Sequence, residues 1–175
     1  HALGVAPKMI IVHNRHTGTS DWQVWHTGIA GTDYLLLNTT GAKGTAASVW
    51  NSTTPTSSVF SLGTNADTNG SGNSIIAYLF AEIAGFSKFG TYTGNGSTDG
   101  PFVYCGFRPR YIMVKNTNAA SQWVIYDTAR DTYNVASTRL RANATDIEGT
   151  NAIYDILSNG FKVRGLGTDY NDANT

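Results

Sequence analysis

The stretch that decides the fold is APKMIIVHNR at residues 6–15, because RPRYIMVKNT at residues 108–117 repeats its pattern. Each stretch has a proline, a basic residue, a run of apolar residues, and then a basic residue or histidine followed by asparagine. Apolar, β-branched runs bounded by turn-forming residues are typical of β-strands. Pro7 aligns with Pro109 at an offset of 102 (109 − 7). We therefore predict that MIIVHN and YIMVKN are inner strands of equivalent sheets.

Further matches follow in the same order along the chain. DWQVWHT (21–27) matches QWVIYDT (122–128), LLLN (35–38) matches LRAN (140–143), and VFSLGTNADTN (59–69) matches GFKVRGLGTDYN (160–171). The order is the same and the spacing drifts by only a few residues, which indicates duplication of a unit of about 100 residues. We expect a first repeat at 1–85 that lacks N-terminal strands, and a second at 86–175 that lacks its C-terminal strand.

The rest of the chain also has the composition of short strands, spaced about ten residues apart and separated by Gly, Asn and Ser. This pattern predicts an all-β fold of tandem β-sandwich repeats, of jelly-roll or concanavalin-like type. We expect at most one short helix, within TNAIYDILSNG (150–160). There Ile153, Ile156 and Leu157 have the spacing of one helical face, and Gly160 could end the helix.

The charge composition argues against several classes of partner. Twelve basic and twelve acidic residues give a net charge of zero, which predicts no nucleic-acid binding. Charged residues are only 14% of the chain, and no apolar run is long enough to insert into a membrane. A surface of hydroxyls and amides favours an extracellular or particle-bound location. The start at His1 indicates a fragment, and the single Cys105 is expected to be a buried apolar residue.

Metal binding is the first site hypothesis. His13, His16 and His26 lie close in sequence, as zinc ligands often do. The second repeat has Lys115 in place of His13 and Asp127 in place of His26, so we predict no metal site and no cofactor. DTNGSG (67–72) has alternating oxygen ligands like a calcium loop but lacks the closing glutamate, and a turn is the favoured interpretation.

Catalysis has little support in the sequence. The chain has only two glutamates, Glu82 and Glu148, and no nucleophile elbow, P-loop or dinucleotide fingerprint. A glycoside-acting enzyme would need two carboxyl groups that face each other across a cleft. Nothing in the spacing brings such a pair together, so we predict that the protein is not an enzyme. The aspartates that could still converge are Asp127, Asp131, Asp146 and Asp155.

Aromatic residues remain as candidate ligand contacts. Trp and Tyr rings can stack on sugars, while Asp and Asn side chains hydrogen-bond their hydroxyls. Because Trp22 and Trp123 recur at equivalent positions, we assign them to the cores of the two repeats. Trp25 and Trp50 are the better candidates for exposure, although for Trp25 we favour packing over ligand binding. The predicted glycan contacts are Trp25, Trp50, Tyr126 and Asp127.

Several long motifs carry a family resemblance, among them LGVAPKMIIVHNR, FAEIAGFSKFGTYTGNGSTDGPFVYCGFRPRYIMVKN, YDTARDTYN and LSNGFKVRG. They resemble a tandem β-rich domain of virion structural proteins of tailed phages, especially marine and environmental ones. The resemblance implies a lectin-like sandwich on the virion surface, in a fibre, appendage or capsid-decoration protein that binds other virion proteins. It further implies a homo-oligomer, by analogy a trimer, and possible adhesion to host polysaccharide. A carbohydrate-binding module or adhesin domain of a secreted bacterial protein is the alternative.

Overall fold

The computed structural model describes residues 1–16 and 18–173, which form two compact, mostly β units. Unit 1 comprises His1–Ile83 and Ser87–Gly90, and unit 2 comprises Ala84–Phe86 and Thr91–Thr175. The repeat boundary predicted at 85/86 lies within the stretch where the chain passes from one unit to the other. No helix in the described part of the chain is both long and apolar enough to cross a membrane.

Unit 1 is built on one antiparallel sheet with the strand order β4-β3-β2-β1-β5. Two single-turn helices lie between β4 and β5 in the chain. The elements are β1 (Met9–Asn14), β2 (Trp22–His26), β3 (Asp33–Leu36), β4 (Gly44–Thr45), α1 (Ala47–Trp50), α2 (Ala66–Asn69) and β5 (Ile75–Phe80).

The core of unit 1 lies on one face of this sheet. Alternate residues of a strand point to opposite faces, and Ile10 and Val12 of β1 are buried while their neighbours are half-buried. Both pack with Trp25 of β2 and with Val49 and Trp50 of α1. The alternation in MIIVHN is therefore that of a strand with one face on the core.

Unit 2 is built on an antiparallel sheet of six strands with the order β6-β11-β10-β9-β8-β7. Its strands are β6 (Phe102–Tyr104), β7 (Tyr111–Val114), β8 (Val124–Asp127), β9 (Ala136–Arg141), β10 (Gly149–Leu157) and β11 (Gly160–Val163).

The core of unit 2 is centred on the ring of Tyr154, which is 0% exposed. Tyr126, Phe161 and Tyr170 pack edge-on against it, with ring centroids 4.9, 5.2 and 6.4 Å away. Such edge-to-face contacts are favourable for aromatic pairs. The Tyr92 hydroxyl donates to the carbonyl of Tyr170 at 2.7 Å and so fixes one side of the cluster.

The two units repeat the same hydrogen bonds as well as the same sequence pattern. Asn14 Nδ2 donates to the carbonyl of Ala66 at 3.0 Å, and Asn116 Nδ2 donates to the carbonyl of Thr168 at 2.7 Å. Both bonds span 52 residues. In each unit the asparagine that ends the repeated strand holds a distant turn in place.

A second pair of bonds is also shared. The backbone N–H of Trp22 donates to Asn38 Oδ1 at 3.0 Å, and that of Trp123 donates to Asn143 Oδ1 at 2.8 Å. These bonds join the start of the second strand of each repeat to the end of the third. The two units therefore share these two hydrogen bonds at positions that the sequence matches pair with each other.

Three predictions about the elements are wrong. Residues 150–160 form β10 and a tight turn, because Tyr154 and Ile156 on one face of a strand are both buried. At most one short helix was expected, but two single-turn helices form, both outside residues 150–160. In α2, Asn65 Oδ1 accepts the backbone N–H of Asp67 at 2.8 Å and so caps the helix. β1 is an inner strand, as predicted, but β7 is an edge strand of the described sheet.

Candidate functional site

The predicted glycan contacts are mostly inside the protein. Trp25, Trp50 and Tyr126 are 3, 2 and 0% exposed, so the expectation that Trp50 lies at the surface is wrong, and Trp25 has the packing role that was favoured for it. The reason is strand alternation, since Trp25 and Tyr126 occupy corresponding inward positions of β2 and β8. A ring that is buried on both faces has no face left for a sugar.

Asp127, the remaining predicted contact, organises a turn. Its Oδ1 accepts the backbone N–H groups of Ala129 and Arg130 at 3.0 and 2.9 Å, and its Oδ2 pairs with the Arg130 guanidinium. Burial raises the pKa of this carboxyl, but these hydrogen bonds and the positive charge outweigh it and lower the pKa overall. The carboxylate is therefore engaged within its own loop.

The other carboxylates considered for catalysis are also held locally. Arg130 pairs with both Asp127 and Glu148, so a ligand that bound between these two would have to displace its guanidinium. The remaining contacts are Glu82 with Lys88 (2.8 Å), Asp155 with Arg164 (2.6 Å), Asp146 with Arg141, and Asp131 with the backbone N–H groups of Ser137 and Thr138 (2.9 and 2.7 Å).

The histidines have separate surroundings. His13 stacks on Trp22, and His26 Nδ1 accepts the backbone N–H of Gly28 at 3.0 Å. Burial lowers the pKa of His26, which favours its neutral form. Within residues 1–16 and 18–173, no three His, Cys, Asp or Glu side chains are grouped so that they could hold a metal ion.

Asp67, from the calcium-like loop, accepts the side-chain amide of Gln23 at 3.2 Å. Cys105 is half-buried and packs against the core of unit 2.

The face of the unit 1 sheet opposite the core carries an aromatic cluster. His13 of β1 lies opposite Trp22 of β2 and Ile76 of β5, and Ile11 lies opposite Tyr78. Residues directly opposite each other in a sheet point to the same face, so the register brings these side chains together.

The rings in this cluster are nearly parallel. The His13 and Trp22 rings stack with centroids 4.1 Å apart and an angle of 7°, and the Trp22 and Tyr78 rings are 6.4 Å apart at 14°. Trp22 is held at the start of β2 by its N–H bond to Asn38 and is half-buried, while Tyr78 is 43% exposed. Trp22 was predicted to be a core residue, which is wrong, whereas Trp123 is buried as predicted.

An open pocket of about 330 Å³ lies over these rings. The residues that line it are His13, Arg15, Trp22, Ile76 and Tyr78. They provide two large aromatic rings, an exposed guanidinium and an imidazole, and among these described lining residues there is no carboxylate or nucleophile. The pocket can therefore stack a flat or ring-shaped apolar surface and donate hydrogen bonds around its rim.

The pocket is a feature of unit 1. In unit 2, Lys115 stands in place of His13 and Thr117 in place of Arg15, and among the described residues Tyr78 has no counterpart. The sequence carried a usable signal, since the alternation that buries Ile10 and Val12 puts His13 on the opposite face. Tyr78 could be added only once the β1–β5 register was known.

The fold and this site together define a mostly β protein of two units, one of which carries an open aromatic pocket on its sheet. Residues 1–175 match the family described as Domain of unknown function (DUF7483), and the chain belongs to that family. No curated protein and no solved structure matches the chain.

Proposed function

We propose that the chain is a non-enzymatic structural module of a tailed-phage virion, in a fibre, appendage or capsid-decoration protein, and that unit 1 contacts surface carbohydrate. The observation that supports carbohydrate contact is the near-parallel pair Trp22 and Tyr78 in an open pocket with His13 and Arg15 at hand. Aromatic faces pack on the C–H faces of sugar rings, while the imidazole and guanidinium hydrogen-bond their hydroxyls.

The virion part of the proposal is supported by the sequence resemblance. The proposal includes a tandem lectin-like sandwich, of jelly-roll or concanavalin-like type, at the virion surface. Antiparallel sheets with one face on a buried core are compatible with this architecture. The proposal also includes self-association, by analogy as a trimer. Exposed apolar side chains of unit 1 that could serve it are Phe80 and Ile83, which are 41 and 55% exposed.

Carbohydrate binding is tested by replacing the two pocket rings. We expect Trp22→Ala and Tyr78→Ala each to weaken binding of the chain to bacterial surface polysaccharides by about tenfold or more, as central aromatic contacts do. Binding is measured on an array of purified O-antigens and capsular polysaccharides. Tyr133→Ala is the matched control, because Tyr133 is 84% exposed and lies in unit 2, and it should leave binding unchanged.

Two results would decide against this assignment. If the unmodified chain binds no polysaccharide on the array, or if Tyr133→Ala weakens binding as much as Tyr78→Ala does, the pocket is not a carbohydrate site. Electron microscopy of phage particles with gold-labelled antibody to the chain tests the virion assignment separately. Label on the particle supports the virion assignment. Label only on bacterial secretions favours the alternative, a carbohydrate-binding module or adhesin domain of a secreted bacterial protein. That module would use the same pocket.

A further inference from the structure

The repeated strand has different neighbours in the two units. In unit 1, β1 lies between β2 and β5. The N–H of Thr27 donates to the carbonyl of Lys8 on the first side, and the N–H of Arg15 donates to the carbonyl of Ser74 on the second, both at 2.8 Å. Because the bonding direction alternates along an antiparallel strand, the odd-numbered residues of β1 bond to β5.

β7 repeats the first half of this arrangement. The N–H of Thr128 donates to the carbonyl of Arg110 at 3.0 Å, which is the counterpart of the bond from Thr27 to Lys8. By the same alternation, Ile112 and Val114 bond to β8, while Tyr111 and Met113 direct their backbone groups to the opposite edge. None of the strands in residues 1–16 and 18–173 pairs with that edge.

Unit 1 shows which chemistry fits such an edge. Its β5 strand, IIAYLF, is apolar throughout and is followed closely by Glu82. Lys88 donates to Glu82 at 2.8 Å and lowers the pKa of that carboxyl, and Lys8 adds a weaker attraction. Arg110 stands at the position of Lys8 in the second repeat. It would therefore place a positive charge near the carboxylate of a segment that paired with β7 as β5 pairs with β1.

We propose that the outer edge of β7 binds an extended peptide segment with the chemistry of β5, an apolar run followed by a carboxylate, as an added antiparallel strand. The incoming segment would then pair as β5 pairs with β1. In that register the counterpart of Phe80 would lie opposite Tyr111, which is 56% exposed. β7 would become an inner strand, and this inference is independent of carbohydrate binding.

The experiment adds a peptide of residues 73–82, NSIIAYLFAE with a polar N-terminal tag, to the intact chain and follows amide hydrogen exchange. We expect saturating peptide to slow exchange at Tyr111 and Met113 by about tenfold or more, because new hydrogen bonds protect these amides. Two matched peptides are N-methylated, one at Ile76 and Tyr78, the other at Ala77 and Leu79. In the β5 register only the first pair directs its N–H groups to the neighbouring strand.

The proposal is supported if the plain peptide and the form methylated at Ala77 and Leu79 both protect these amides. The form methylated at Ile76 and Tyr78 should then give no protection. The proposal is overturned if no peptide protects Tyr111 and Met113. It is also overturned if the two methylated peptides protect equally, or if protection appears only on the outer edge of β5. None of these outcomes depends on polysaccharide binding.

Discussion

Replacing Trp50 by alanine is expected to lower the free energy of unfolding of unit 1 by about 3–5 kcal/mol, the usual cost of removing a large aromatic from a core. Trp50 is 2% exposed and packs with Ile10, Val12, Trp25 and Val49. Its indole nitrogen has no hydrogen-bond partner among the described residues, so the expected loss is one of packing. With a typical domain stability of about 5–15 kcal/mol, unit 1 would become marginal.

The loss is measured by urea titration with hydrogen exchange and mass spectrometry, which reports each unit through its own peptides. Val59→Ala in unit 1 is the control, because Val59 is 57% exposed, and a change within about 0.5 kcal/mol is expected there. A loss below about 1 kcal/mol for Trp50→Ala would contradict the packed core described for unit 1, since that loss is typical of a surface position.

Replacing Tyr154 by alanine is expected to lower the free energy of unfolding of unit 2 by about 3–5 kcal/mol. The substitution removes the ring against which Tyr126, Phe161 and Tyr170 all pack. Burial raises the pKa of Tyr154 well above its usual value, so the ring is neutral inside the core. Exchange in the peptides of unit 2 is the measurement.

Tyr154→Phe is the matched variant for this position. This variant keeps the buried ring and removes only the hydroxyl beside Tyr92, so it is expected to cost about 1 kcal/mol, much less than Tyr154→Ala. If Tyr154→Phe costs as much as Tyr154→Ala, the hydroxyl rather than the ring stabilises unit 2. That result would contradict the ring packing described around Tyr154.

Much of the fold could be predicted from local sequence. MIIVHN is a strand in both the prediction and the structure because Ile10 and Val12 alternate with residues of the opposite face. The sequence repeat could be recognised because Asn14 and Asn116 make equivalent hydrogen bonds. A position whose side chain has to donate to a distant carbonyl accepts few residue types. All-β architecture follows from many such short segments with turn residues between them.

The failures came from tertiary context. The spacing of Ile153, Ile156 and Leu157 suits a helix, but it leaves out Tyr154, whose burial beside Ile156 decides for a strand. β7 was expected inside its sheet because β1 is, yet a strand's neighbours depend on segments distant in sequence. Periodicity in a single strand carries no information about which other strand lies beside it.

The candidate site was missed for a similar reason. The candidate pocket contains a tryptophan, but Trp25 and Trp50 face the core while Trp22 lies on the opposite face. Two tryptophans three residues apart in one strand lie on opposite faces, so only burial shows which of them can meet a ligand. The partner ring, Tyr78, is 56 residues away in sequence (78 − 22) and meets Trp22 only through β1.

If the two units are copies of one fold, the asparagine that ends the repeated strand should stabilise each of them in the same way. Asn14 and Asn116 are 1 and 8% exposed, and each bonds a carbonyl 52 residues away. Unit-resolved urea titration of Asn14→Ala and Asn116→Ala tests this directly. Each should destabilise its own unit by about 1–3 kcal/mol, the cost of stranding buried polar groups, with the exposed Asn118→Ala as a near-neutral control. A neutral result for either buried asparagine would contradict the claim.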